Sequence, residues 1–201
     1  MPGADPPRRS GAPKAAPVAS GRYGPSMQIV QYEPAHRVAL LALSIRAWEP
    51  VFPLFREAVA PFVYESFYPD GWRERQVHDL AAVLDGEPQN VAVALEEDLP
   101  VGWVCTRFHA DDSMSEIYVL AVDPEFQRRG VARALMDHSF DRGREAGMRM
   151  VLVETGDDPG HEPARRAYEA AGFELVAEQP HNGFGPDLVG QDWELHLSEL
   201  E

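Results

Sequence analysis

The hydrophobic and polar positions of the chain follow two periods, and the change from one period to the other predicts its strands and helices. Short apolar or alternating runs predict seven strands, over Met27–Tyr32, Asn90–Leu95, Val101–Phe108, Ser115–Val122, Met148–Glu154, Phe173–Glu178 and Asp192–Leu197. Helical spacing predicts a helix from Pro34 to about Trp48, an interrupted segment over Phe52–Asp85, and helices over Gly130–Gly147 and Glu162–Ala171. The predicted order, β-α-α-β-β-β-α-β-α-β-β, is typical of an α/β (α+β) domain.

The interrupted segment Phe52–Asp85 is rich in aromatic residues and broken by helix-terminating residues. The aromatic residues are Phe52, Phe55, Phe62, Tyr64, Phe67, Tyr68 and Trp72, and the interruptions are Pro53, Pro61, Pro69 and Gly71. The rings either line a pocket or pad a small core beneath a connection, and the sequence leaves both interpretations open.

Residues 1–26 differ in composition from the rest of the chain. They are rich in Pro, Gly, Ala and Ser, lack hydrophobic periodicity and contain no apolar core of a secretory signal. We expect a disordered tail here and one folded domain over residues 27–201, with Met27 as a candidate start site. A transit peptide is the alternative, although the prolines would break its amphipathic helix.

The charge is distributed unevenly along this chain of net charge −15. Residues 1–26 carry four basic residues against one acidic residue, so the predicted domain is even more acidic than the whole chain. An acidic domain repels nucleic acids and anionic membranes and attracts a cationic amine. The alternative interpretation is that the charge serves solubility alone.

The single cysteine and the absence of a long apolar run exclude several classes of protein. Cys105 stands alone, which excludes an intramolecular disulfide and a cysteine-based zinc cluster and suits a reducing cytoplasm. Its apolar neighbours predict a buried, inert thiol. No apolar run approaches the roughly 18 residues of a membrane span.

The run Val119–Ala134, VLAVDPEFQRRGVARA, places a glycine between a strand and a helix. The strand Ile117–Val122 is apolar on both faces, which indicates a central strand, and it stops at Asp123 and Pro124. Free backbone amides then stand at the start of the next helix, where the helix dipole favours an anion such as a diphosphate. Gly130 lets a ligand approach the backbone closely, because it has no Cβ.

Gln127 to Ala132 resembles the Q/R-x-x-G-x-G/A signature of the GCN5-related N-acetyltransferases. The resemblance implies a central, mixed, mostly antiparallel, twisted sheet of six or seven strands with about four helices on both faces. It also implies acetyl-CoA as cofactor and no metal. The cofactor-binding residues implied by the loop and the preceding strand are Leu120, Ala121, Val122, Gln127, Arg128, Arg129, Gly130, Val131, Ala132 and Arg133.

The stretch His161–Phe173, HEPARRAYEAAGF, is similar to the family's second signature. The resemblance assigns Tyr168 as the acid that protonates the departing CoA thiolate. His161 stands where the family usually has Asn, so it is a candidate cofactor contact, or else a solvent-facing residue near the helix start. Without the resemblance, a core tyrosine on an amphipathic helix is the simpler interpretation of Tyr168.

Attack on a thioester requires a neutral amine, so a base or a chain of waters must remove a proton. Glu116 is the candidate, since related enzymes carry a glutamate at this point of the central strand. Alternation predicts that it shares a face with Tyr118, Leu120 and Val122. An exposed carboxylate at the strand edge is the alternative, and His78 and Glu65 are weaker candidates.

We therefore expect a cytoplasmic N-acetyltransferase in which an amine attacks acetyl-CoA directly in a ternary complex. The acidic domain favours a small cationic amine as acceptor, and a protein N-terminus is the alternative, since Glu116–Ala132 also resembles the ribosomal-protein acetyltransferases of bacteria. A CoA-binding module without catalysis is a third hypothesis. The resemblance allows a homodimer, and the acidic charge predicts no nucleic-acid or membrane partner.

Overall fold

The computed structural model describes residues 27–180 and 189–199, so the expected tail over residues 1–26 lies outside the described residues. Seven strands form one sheet: β1 (Met27–Gln31), β2 (Val91–Glu96), β3 (Leu99–His109), β4 (Met114–Val122), β5 (Met150–Gly156), β6 (Glu174–Pro180) and β7 (Val189–His196). They lie in the order β1-β2-β3-β4-β5-β7-β6. The predicted central strand is therefore β4, the fourth of the seven.

The described part of the chain contains six α-helices rather than about four. They are α1 (Arg37–Trp48), α2 (Val51–Ala58), α3 (Pro61–Phe67), α4 (Trp72–Gly86), α5 (Val131–Glu145) and α6 (Glu162–Ala171). The difference lies in the aromatic segment, which forms three helices. Pro61 starts α3, where its fixed φ suits the first turn, and Gly71 precedes α4 with a φ of 92°. The predicted bounds of α6 are confirmed, with Gly172 ending it at a φ of 100°.

The sheet is mixed and mostly antiparallel, as expected, because β4 and β5 form its parallel pair. These two strands pair only over Met114–Glu116 and Met150–Leu152. Beyond those residues β4 stays paired with β3 up to Val122, and β5 stays paired with β7 up to Gly156. The two strands therefore separate toward their carboxyl ends, and the sheet has a wedge-shaped gap at its centre.

A β-bulge at Tyr118 changes which side chains of β4 face which layer. Cys105 pairs with Val119 and Thr106 with Ile117, so Tyr118 is the extra residue. Ile117 packs in the same cluster as α5, whereas Val119 packs in the cluster of α1 and α4. In a regular strand these two side chains would share a face.

Two apolar clusters cover the two faces of the sheet. The cluster on one face includes Leu135 and Phe140 of α5 and Ala171 of α6, and the cluster on the other includes Leu43 of α1 and Leu84 of α4. Helices thus cover both faces, and the fold prediction is confirmed. Among the described residues, no single helix has the length and apolar character of a membrane span; the bent pair Pro34–Trp48 and Val51–Ala58 meets that test only when joined.

Ser44 and Trp103 form a buried polar contact between α1 and β3. The Trp103 Nε1–H donates to Ser44 Oγ at 2.8 Å, and Ser44 Oγ donates to the Leu40 carbonyl at 2.7 Å. Both side chains are fully buried. A Ser44→Ala change should lower the free energy of unfolding by about 1–3 kcal/mol, because it leaves the indole N–H buried without a partner.

Chemical denaturation of Ser44→Ala and of the exposed control Ser66→Ala tests this contact. The control, on a solvent-facing position of α3, should change the free energy of unfolding by less than about 0.5 kcal/mol. Equal effects of the two changes would show that the contact contributes little.

Candidate functional site

A cavity of about 460 Å³ opens at the carboxyl end of β4, where β4 and β5 have separated. Its wall is built from the end of α1 and the start of α2, the end of β4, the turn before α5, and α6. The lining includes Val51, Leu54, Leu120, Ala121, Val122, Gln127, Arg128, Gly130, Val131, Ala132, Arg133, His161 and Tyr168. One cavity therefore joins the predicted phosphate-binding turn to Tyr168, the predicted acid.

The turn Gln127–Gly130 supplies the anion-binding geometry. Arg128 and Gly130 both adopt positive φ, at 63° and 86°, on either side of Arg129. Successive N–H groups in such a turn form a concave site for anions. The first amide of α5 with a helical acceptor is that of Ala134, which donates to the Gly130 carbonyl at 2.9 Å. The preceding amides of the first turn are therefore available to a ligand.

Gly130 is required by its backbone conformation rather than by crowding. A Cβ added there would meet no atom of the protein within 4 Å, so the space beside it is open. A φ of 86° is nevertheless unfavourable for every residue with a side chain. The open space at this backbone is where the sequence predicts the diphosphate.

All of the predicted cofactor-binding residues line the cavity except Arg129. The Arg129 guanidinium lies over the Phe126 ring, 5.0 Å from its centroid. Arg133 donates to Asp137 at 2.9 Å, and the Gln127 amide donates to the Val122 carbonyl at 3.2 Å. Gln127 thus fixes the turn to the end of β4, and Arg128 and Arg133 give the mouth of the cavity positive charge.

Tyr168 lies at the cavity wall, and its side chain is 8% exposed. Its ring packs edge-on against Phe173, with the ring centroids 5.7 Å apart. Burial raises the pKa of Tyr168 to about 12, so the phenol keeps its proton at neutral pH. Its hydroxyl has no hydrogen-bond partner among the described residues, which leaves the proton free for a ligand.

Glu116 does not line the cavity, and the predicted sharing of a face with Leu120 and Val122 is wrong. Leu120 and Val122 pack with the α5 cluster, as does Ile117, the direct neighbour of Glu116. Neighbouring residues of a strand face opposite ways, so Glu116 points to the other side of the sheet. The bulge at Tyr118 causes this, because it shifts the alternation by one residue.

On that other side, Glu116 is held by a histidine of the neighbouring strand. Its Oε2 lies 3.0 Å from His109 Nε2, and its side chain is 16% exposed. The other candidate bases, His78 and Glu65, are exposed on α4 and α3. The role of Glu116 therefore stays a prediction, and the cavity itself holds none of the three.

One residue of the cavity lining, His161, is paired with a buried aspartate that does not itself line the cavity. His161 Nδ1 lies 2.5 Å from Asp158 Oδ2, and the Asp158 side chain is fully buried. His161 was predicted from the sequence, whereas Asp158 was not. Asp158 stands three residues before His161 and directly before Pro159. This pattern could have predicted the contact, because Asp commonly caps a short helical turn of this kind.

The aromatic segment forms a small core beside the cavity. Phe52 stacks on Trp72 with centroids 4.2 Å apart, and Phe55, Tyr64 and Tyr68 pack around them. Leu54 of this segment lines the cavity, as does Val51 just before it, whereas the aromatic rings of the segment do not. Of the two interpretations left open, padding of a core is the one observed.

Cys105 is fully buried, as predicted. Burial raises the pKa of its thiol to about 12, so the reactive thiolate is scarce at neutral pH. No group of three or more potential metal ligands is found in residues 27–180 and 189–199.

The curated relatives of this sequence include several mycothiol acetyltransferases. That of Propionibacterium freudenreichii subsp. shermanii is 34% identical over 94 residues, which are 45% of this chain and 30% of the relative. That of Mycobacterium ulcerans is 30% identical over 135 residues, which are 60% of this chain and 39% of the relative. The chain therefore spans about a third of the length of the curated relatives it matches.

Solved structures share the fold at low sequence identity. A GNAT-family acetyltransferase of Desulfovibrio desulfuricans superposes with a TM-score of 0.67 at 19% identity, over 86% of this chain and 99% of that protein. The ribosomal-protein-S18-alanine N-acetyltransferase of Escherichia coli gives 0.59 at 16% identity, over 85% and 94%. The acetyltransferase yncA of Salmonella typhimurium, solved with its cofactor acetyl-CoA, gives 0.56 at 18% identity, over 86% and 94%.

A Gly130→Ala change tests the anion-binding turn. The added methyl group meets no protein atom, so the cost is the backbone strain of about 1–2 kcal/mol that a positive φ imposes. We expect the turn to relax and the affinity for acetyl-CoA to fall about tenfold, and calorimetric titration measures this change. The control Gly86→Ala, which also has open space but lacks the positive φ, should bind acetyl-CoA like the parent protein. Equal affinity of all three proteins would contradict this role of the turn.

The sequence model of the acetyltransferase (GNAT) family matches residues 51–173, more than half of the chain. This match covers the separated strands, the anion-binding turn and the helix that carries Tyr168. The resemblance of the two sequence signatures is thereby confirmed, and the chain belongs to the acetyltransferase (GNAT) family.

Proposed function

We propose that this protein transfers an acetyl group from acetyl-CoA to a primary amine, by direct attack of the amine in a ternary complex. The observation that carries the proposal is that one cavity joins an anion-binding turn at Gly130 to a protonated, unpartnered phenol at Tyr168. The family match supports acetyl-CoA as the acetyl donor.

The residues of the cavity suit the two ends of acetyl-CoA. The diphosphate is bound by the first amides of α5 and by Arg128 and Arg133 at the cavity mouth. The pantetheine arm enters the gap between β4 and β5, where Leu120–Val122 line the cavity and are paired to β3 on one side only. Backbone groups on the open side of β4 can then bind the amides of the arm.

Tyr168 supplies the proton that the leaving CoA sulfur needs. A thiolate is a better base than a sulfur in a thioester, so the proton moves to it as the carbon–sulfur bond breaks. The pKa of about 12 means that the phenol is protonated at neutral pH and can donate its proton. Acid catalysis of this kind typically contributes about 10²- to 10⁴-fold.

The acceptor that we propose is a small amine. The net charge of −15 favours a cationic molecule over an anionic one. Relatives named mycothiol acetyltransferases are named for a thiol rather than for a protein, which also favours a small acceptor. A protein N-terminus is the alternative acceptor. We include it in the experiment because the ribosomal-protein-S18-alanine N-acetyltransferase has the same fold.

Replacement of Tyr168 by Phe tests the catalytic role. Tyr168→Phe removes the proton donor and retains the packing, so the turnover number should fall at least tenfold while the dissociation constant of acetyl-CoA changes less than threefold. CoA thiol release and calorimetric titration measure the two quantities. Tyr32→Phe, at a buried tyrosine of the opposite face, should leave both within twofold. A Tyr168→Phe protein with full turnover would exclude this role of the phenol.

A panel of polyamines, aminoglycosides, aminothiols and peptide N-termini tests the acceptor class through CoA thiol release. We expect release with a small cationic amine and a KM that rises steeply between 50 and 300 mM salt, because salt screens attraction to the acidic domain. Release with peptides alone would replace the small acceptor by a protein N-terminus. A protein that binds acetyl-CoA and releases no CoA with any amine would be a binding module without catalysis.

A further inference from the structure

A buried carboxylate, Asp158, holds the imidazole of His161, which lines the cavity. The Asp158 side chain has no exposed surface, and its Oδ2 lies 2.5 Å from His161 Nδ1. Its other oxygen, Oδ1, accepts the backbone N–H of Gly160 at 2.9 Å. The carboxylate is therefore fixed in position by two partners, and it fixes the ring of His161 in turn.

Two glycines leave the space that this pair occupies. A Cβ at Gly156 would lie 2.6 Å from Asp158 Oδ2 and 3.2 Å from His161 Nδ1. A Cβ at Gly160 would lie 2.9 Å from Asp158 Oδ1 and 2.9 Å from the Val51 carbonyl oxygen. At each position a Cβ would come closer to the Asp158 carboxylate than a carbon atom tolerates. The backbone therefore accommodates the pair only because both positions are glycine.

The charged surroundings keep Asp158 ionised. Burial alone would raise the pKa of this carboxyl, but the hydrogen bonds from His161 and Gly160 and the charge of Arg165 outweigh burial and lower it. Arg165 also donates to the Asp158 carbonyl at 2.9 Å and to the Gly156 carbonyl, which ties α6 to this turn.

The other side chains around the cavity come from several elements. Pro50 and Val51, at the start of α2, carry no charge, and Arg128 and Arg133 lie at the cavity mouth. Tyr168 lies on α6. Glu162 of α6 forms an ion pair with Arg166. The cavity lining contains no acidic side chain among the described residues. Within that lining, His161 is the residue whose ring nitrogen can accept a proton.

The pair sets the state of the free ring nitrogen. An ionised carboxylate is an acceptor only, so Nδ1 carries a hydrogen and donates it to Asp158. In the neutral ring Nε2 then has a lone pair, and it has no partner among the described residues. The side chain is 29% exposed, which gives a proton taken up at Nε2 a route to water.

The position of His161 suits a proton transfer beside the thioester. His161 is the N-cap of α6, and Tyr168 follows seven residues later, which is about 10 Å along the helix axis. Helical side chains lean toward the helix start, so the phenol extends back toward the imidazole. Glu116, by contrast, faces the opposite side of the sheet and lies outside the cavity.

We propose that the Asp158–His161 pair, rather than Glu116, is the general base that deprotonates the acceptor amine; this rests on the proposed acetyltransferase function. The acceptor ammonium gives a proton to His161 Nε2, and the neutral nitrogen forms a bond to the thioester carbon. The carbon–sulfur bond breaks, and the sulfur takes the proton of Tyr168. The nitrogen loses its second proton as the amide forms and reprotonates the phenol, while the proton on His161 passes to water.

His161→Asn is the decisive variant, since an amide retains a polar side chain of similar reach and cannot take up a proton. At neutral pH its kcat should fall at least hundredfold, with the KM for acetyl-CoA within threefold of the parent value. The acid limb of the pH dependence of kcat should disappear. Asp158→Asn should lower kcat at least tenfold, because it no longer fixes the tautomer. His196→Asn, at an exposed histidine of β7, is the matched control and should change nothing.

His161→Gly with added imidazole separates chemistry from folding. Imidazole should restore at least a tenth of the lost turnover, which a merely structural role would not allow. The proposal is overturned if His161→Asn keeps more than a third of kcat, if it raises only the KM for acetyl-CoA, or if Glu116→Gln loses more turnover than His161→Asn. A parent protein without turnover on any amine would instead refute the proposed function, and the base with it.

Discussion

The separation of β4 from β5 is the constraint on which the candidate site depends. The two central strands pair over three residues each and then diverge, while each keeps its antiparallel neighbour. A central sheet position normally offers no space to a ligand, because its backbone groups are paired on both sides. Here the divergence leaves one side of β4 unpaired at its carboxyl end, where Leu120–Val122 line the cavity. The anion-binding turn and Tyr168 follow these two strands directly along the chain, so the fold brings both to the same opening.

The layout of this site could be predicted from the sequence because it depends on local features. A run that is apolar on both faces identified β4 as central, and Asp123 and Pro124 marked its end. Gly130 predicted the positive φ that starts α5, and Gly172 predicted the end of α6. The family resemblance then supplied the roles that periodicity alone could not assign. Most predicted cofactor contacts came to line one cavity because they belong to two short segments at adjacent strand ends.

The features that were missed depend on pairing between segments. At the bulge, β4 has one residue more than the part of β3 that it pairs with, and the β4 sequence alone does not predict this extra residue. It reverses the predicted face of Glu116 and removes that residue from the cavity side. The buried state of Asp158 likewise depends on α2 packing over the turn, through Val51 against Gly160. The aromatic core beside the cavity also depends on tertiary packing. Within the family fold, the chain thus places a carboxylate–imidazole pair where its acetyl donor is expected to bind.

Hydrogen exchange of the backbone amides in the presence and absence of saturating acetyl-CoA tests the central claim most directly, because it reports where the cofactor lies without depending on the acceptor. If the gap between β4 and β5 holds the pantetheine arm, exchange should slow at least tenfold in Leu120–Val122 and in Gln127–Arg133. The distant edge strand β1 should be unchanged. Saturated binding with unaltered exchange in those two segments would contradict the claim that the separated strands form the cofactor site.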